Sequence, residues 1–183
     1  MKNPVVPAGW MLEQASDYIR AAQLLRYKPN LMRVSQVNAA IGVEILLKSF
    51  LAEPDGFYGQ INQTYSVNQH LIKQSANQLK KTGKLRQDAK PSGHDLLVLF
   101  HSIPDDIRKT SGLADHHDVV ERYRETFTAS RYEYELAASK GFDTILADRA
   151  IEMLNSVVRY AQTIGSTDPW VQAFPNIPGL HDA

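Results

Sequence analysis

The side chains best suited to chemistry collect in three places. Glu44 and Lys48 lie four residues apart in Glu44-Ile45-Leu46-Leu47-Lys48, glutamate on the N-terminal side, the favourable order for an ion pair on a helix. If the apolar residues around them are buried, both charges turn inward, where each needs a partner. They then form either a polar site inside a bundle or a structural pair whose lysine extends to the surface. Gly93-His94-Asp95 opens a helix, with Asp95 favoured in the first turn by the helix dipole. An imidazole ordinarily titrates at about pH 6.5, so His94 is a candidate general acid–base or phosphate contact, and equally a plain turn residue. In Ser130-Arg131-Tyr132-Glu133-Tyr134-Glu135, Arg131 can pair with Glu135. Alternatively, Arg131, Tyr132 and Tyr134 make a stacking and phosphate-contact surface for single-stranded RNA or a nucleotide.

Other chemistries lack their residues. The chain has no cysteine, which removes disulfides, thiolate metal sites and a cysteine nucleophile. Its six histidines do not have metal spacing: His94 and His101 share a helical face but stand about 10 Å apart along the axis. His116 and His117 are adjacent and point in different directions on a helix. There is no H-E-x-x-H, no paired E-x-x-H, no glycine-rich phosphate loop and no G-x-S-x-G elbow. No metal and no cofactor are therefore expected.

Helical periods place these residues. The first runs from about Pro7 to Tyr27, with Met11, Leu12, Ala15, Tyr18, Ile19, Ala22 and Leu25 on one side. Pro29-Asn30 breaks the chain, and Asn30 is positioned to cap the next helix. That helix, about Leu31 to Ala52, carries two apolar stripes, Ala39, Val43, Leu46, Leu47 and Phe50, and Val34, Val37, Ile41 and Ile45. Glu44 and Lys48 project between them, and Ser35, Gly42 and Ser49 recur every seven residues on a small-residue face. A helix apolar over most of its circumference is central. Residues 57–93 read as a polar surface insertion with a helix or strand around Val67–Leu79. A short helix over His94–Ser102, one opened by Pro104-Asp105-Asp106, one from Asp115 to about Ser130 and one from about Asp143 to Ile164 follow. The proline-rich tail, 166–183, has no period and either docks through Trp170 and Phe174 or is loose. With no convincing strand pair, the expected fold is a single all-α domain, an up-and-down bundle of four to five helices.

The 183 residues carry 20 basic and 20 acidic side chains, and a chain of that size buries a core without metals or disulfides. Neutrality excludes coating of DNA by bulk charge. It is nonetheless a cancellation: residues 1–69 sum to +1, residues 70–104 to +4 and residues 105–183 to −5. The excess lies in Lys73, Lys80, Lys81, Lys84, Arg86 and Lys90, either a solvated loop or a local basic stripe for a short RNA segment. No signal-like apolar stretch precedes Glu13 and Asp17, and apolar runs fall short of the roughly 20 residues a bilayer needs, so a cytoplasmic location without membrane contact is expected.

The order Glu44-Ile45-Leu46-Leu47-Lys48, Gly93-His94-Asp95-Leu96 with Leu99-Phe100, Arg131-Tyr132-Glu133-Tyr134-Glu135 and a closing amphipathic helix resembles the HEPN (higher eukaryotes and prokaryotes nucleotide-binding) family over about residues 8–165. The resemblance implies a bundle of four or five helices, commonly a homodimer. Its members include RNA-cleaving components of toxin, defence or RNA-processing systems and non-catalytic binding modules. Ribonuclease members typically carry R-x4-6-H, whereas Arg86 to His94 and Arg108 to His116 each enclose seven residues. No catalytic pair carries over. The expectation is RNA or nucleotide binding at Glu44, Lys48, His94, Asp95, Arg131, Tyr132 and Tyr134. A non-enzymatic, antitoxin-like or structural dimer with a protein partner is the alternative. A metal-independent ribonuclease using His94 or His116 ranks third.

Overall fold

Small residues bring the first two helices together. In the structure, a computed structural model that describes residues 5–59, 63–129 and 141–176, α1 spans Gly9–Leu25 and α2 spans Met32–Lys48, extended by a 3-10 turn over Ser49–Leu51. The small-residue face of α2 is the seam against α1. Ser35 Oγ donates to the Ala22 carbonyl at 2.7 Å, and the Ala8 amide donates to the Ser49 carbonyl at 3.0 Å. A Cβ on Gly42 would stand 2.5 Å from Ile19 Cγ1 and 3.1 Å from the Ala15 carbonyl oxygen. These contacts run in opposite sequence directions, so the helices are antiparallel. Asn30 adopts φ +62 and turns the chain rather than capping α2, whose cap residue is Leu31 without a side-chain bond. Asparagine tolerates that left-handed conformation better than most residues.

The first apolar stripe of α2 is fully buried, whereas Val34, Val37, Ile41 and Ile45 are half-buried. Met32–Leu51 is long and apolar enough by composition to cross a membrane, and 67% of that window is buried inside the fold, as in a core helix. After it, Ala52–Pro54 (β1) pairs antiparallel with Tyr65–Val67 (β2), joining Ala52 to Val67 and Pro54 to Tyr65. This corrects the expectation of no strand pair: three residues are too few for a period-2 signal, and proline is compatible with such an edge.

Asn68 caps α3, Gln69–Lys81, by accepting from the Leu71 amide at 3.1 Å. Within the segment read as a polar insertion, this helix buries Ile72, Ala76 and Leu79 and packs on α4, Leu96–Ser102. Asp105–Thr110 (α5) and a 3-10 turn over Leu113–His116 follow. The helix expected over Asp115–Ser130 is broken into that turn, α6 (His117–Arg122) and α7 (Thr126–Ala129), because the chain turns at Tyr123–Glu125. Helix α8, Ile145–Thr163, buries every residue of its expected apolar side, from Leu146 to Ala161, against α1 and α2. Asp168 caps α9, Pro169–Ala173, through which Val171 and Phe174 dock the tail with Trp170 partly covered. Apart from the two short strands, the described residues form an all-α domain.

Candidate functional site

The site is built where α2 meets the turn before α4. Glu44 sits one turn from the C-terminal end of α2 with 7% of its surface exposed, held there by its buried neighbours Val43, Leu46 and Leu47. Lys48 Nζ donates to Glu44 Oε1 at 2.6 Å, and its side chain is 19% exposed. His94 arrives from the other direction. Its amide donates to Ser92 Oγ at 3.1 Å, and its ring reaches across fifty residues of sequence to Glu44. Nδ1 lies 3.0 Å from Oε1 and 3.1 Å from Oε2. A carboxylate only accepts, so Nδ1 carries the proton of that bond and the other ring nitrogen, Nε2, is left to act on something else. The imidazole is 49% exposed and stacks on Phe127 of α7 at 5.1 Å between centroids, with the planes 30° apart. A Cβ at Gly93 would lie 4.0 Å from Lys48 Nζ, so the turn runs directly beside the ammonium.

Asp95 belongs to the scaffold of this turn. One carboxylate oxygen accepts from the Leu97 and Val98 amides, 3.0 and 3.2 Å away, and starts α4. The other takes Arg124 Nη2 at 2.5 Å and Nε at 3.2 Å, a pair only 19% and 9% exposed at the side chains. Arg124 also donates to the Lys84 carbonyl at 3.0 Å, and its own carbonyl accepts from the Leu96 amide at 3.0 Å. One guanidinium thereby ties together the α3–α4 connection, the His94 turn and the α6–α7 turn.

The structure brings Glu44, Lys48 and His94 into direct contact and puts Asp95 behind them. Arg131, Tyr132 and Tyr134 lie outside the described residues. Two contributors escaped the sequence reading. Arg124 is 29 residues from Asp95, with no local spacing to announce it, and Phe127 is as remote in sequence from His94.

Two histidine groupings lie beyond this site. Arg108 Nη1 donates to the Phe100 carbonyl at 3.1 Å and reaches His101 Nδ1 at 3.5 Å, so its histidine contact is His101 rather than His116. Burial, then the Arg108 charge and weaker contributions from His117 and Lys84, push the His101 pKa down to about 4. His101 Nε2 is buried and has no partner among the described residues. His116 is buried too, and burial lowers its pKa. His117, Asp118 and Glu121 place ligand atoms within 4.8 Å of one another, a grouping hidden from histidine spacing because two members are carboxylates. Asp118 and Glu121 are exposed and serve as ion partners of His117 at 3.3 and 3.9 Å.

No protein-family model, no curated protein and no solved structure matches the chain. The site's chemistry therefore rests on its own geometry. It offers an oriented imidazole whose Nε2 has no partner among the described residues, an ammonium with donors to spare, and an aromatic face beside them.

Proposed function

We propose that the chain is a HEPN-like helical bundle that binds RNA or a nucleotide at Glu44, Lys48 and His94, without the usual ribonuclease motif. One observation carries the reading: a buried glutamate holds a lysine and a half-exposed histidine at one spot, beside a phenylalanine ring. Lys48 supplies the charge for a phosphate, and the His94–Phe127 pair supplies a surface for a base. Fluorescence anisotropy with a labelled single-stranded RNA tests this. Wild type binds, AMP competes, and His94→Ala lowers affinity about tenfold, or 1.4 kcal/mol. Equal affinity of wild type and variant removes the reading.

A second reading, a metal-independent ribonuclease, is favoured by the carboxylate on His94 Nδ1. That arrangement leaves Nε2 as the acceptor a general base needs. Incubation of RNA with wild type and Glu44→Gln separates the two readings, because cleavage that falls in the variant supports catalysis and absence of cleavage in wild type discards it.

A further inference from the structure

We propose that single-stranded RNA bound at His94 continues along α3 to a groove beside His101, held by five lysines that have no ion partner among the described residues. The proposal rests on the RNA reading of the His94 site and extends its footprint.

Residues 70–104 hold six basic and two acidic side chains. Both acids are already engaged: Asp88 faces Arg86 at 3.6 Å and Asp95 holds Arg124 at 2.5 Å. Lys73, Lys80, Lys81, Lys84 and Lys90 remain, none with a side-chain partner among the described residues. Like charges left uncompensated along one stretch attract a polyanion. Their arrangement follows from the helix. With Ile72, Ala76 and Leu79 buried, the opposite face of α3 lines up Lys73 with Lys80, and Gln74 with Lys81, each pair seven residues apart with Asn77 between the rows.

Along α3, against the end of α4, runs a groove of about 650 Å³ whose lining mixes Gln74, Asn77, Gln78, Lys81 and His101 with apolar residues such as Leu71. The three amides have no side-chain partner among the described residues. Each presents donors and an acceptor together, the complement of a base edge, whereas an acidic peptide would call for donors alone. Lys84 links groove and site. Its carbonyl accepts from Arg124, which fixes Asp95 next to His94, and its charge bears on His101. His94 immediately precedes Asp95, the N-cap of α4, and His101 lies in the last turn of that helix.

The test is the salt dependence of binding of a labelled single-stranded RNA of about 12 nucleotides. Single strands lose affinity with a slope of about −0.7 in log K against log salt per neutralised phosphate. The combined variant Lys73→Gln/Lys81→Gln/Lys84→Gln is expected to have a slope shallower by about 2, whereas His94→Ala weakens binding with the wild-type slope. A wild-type slope in the triple variant overturns the extended footprint and leaves the His94 site standing. Absence of RNA binding by wild type removes both. Displacement of RNA by poly-L-glutamate at equal charge also overturns it, in favour of an acidic protein partner.

Discussion

Glu44 is the residue whose change tells most, because a buried carboxylate that holds both a lysine and a histidine leaves both in difficulty when it is changed. Glu44→Gln keeps the shape and removes the charge. Lys48 is then half-buried without the carboxylate it pairs with, and His94 has only a neutral amide oxygen in place of the charged acceptor. Breaking a fully buried pair costs about 3–5 kcal/mol; with partial solvent access here we expect about 1–3 kcal/mol in urea unfolding, together with weaker RNA binding. An unchanged midpoint would mean the pair is solvent-screened. The histidines make a separate prediction. His101 is pushed down to about 4 by burial and by Arg108, and His116 is lowered by burial. The unfolded chain binds protons at these positions at higher pH than the folded one. Their contribution is complete above about pH 6.5 and is lost as pH falls toward 4. Unfolding at pH 7 and pH 5 should show the loss, and His101→Gln should reduce it. Equal pH slopes for the two proteins would contradict the assignment. At this scale the sequence was half legible. The spacing of Glu44 and Lys48 announced a pair, but the contact of Glu44 with His94 and that of Asp95 with Arg124 are tertiary, and no local spacing encodes them.

At the scale of elements, the heptad of Ser35, Gly42 and Ser49 found its meaning in packing. It lets α1 approach α2 closely enough for a bond from the Ser35 hydroxyl to the Ala22 carbonyl and a backbone bond from Ala8 to Ser49 across the seam. Gly42→Ala drives a methyl against Ile19 and the Ala15 carbonyl. The expected cost is about 1–3 kcal/mol, read as a lower midpoint of thermal unfolding; an unchanged midpoint would show that the helices can separate freely. Asp95→Ala removes the cap of α4 and the counter-ion of Arg124 together, so its cost should exceed the roughly 1 kcal/mol of a cap alone. Urea unfolding of Asp95→Ala against Arg124→Gln measures how much of that belongs to the pair. Helices α1, α2 and α8 could be read from their period because each has a long apolar face. The segment after α5 could not: Val119, Val120, Tyr123 and Phe127 keep helical spacing across a chain that turns between α6 and α7. Strands of three residues left no pattern at all.

For the whole molecule, neutrality is the wrong summary. In the sum, the acidic excess after residue 105 offsets a basic stretch over residues 70–104, part of which lies on α3. The all-α architecture and the basic stretch ahead of Gly93-His94 were visible in the sequence, whereas the contacts of the His94 ring with Glu44 and Phe127 required the fold. The central claim is that RNA meets the protein at His94 and Phe127. Photocrosslinking of a 5-iodouridine-substituted single-stranded RNA, followed by mapping of the modified peptide, tests it most directly. Crosslinks are expected at His94 or Phe127 and should disappear in Lys48→Gln at matched RNA concentration. Crosslinks confined to other surfaces, or none at all, would contradict it.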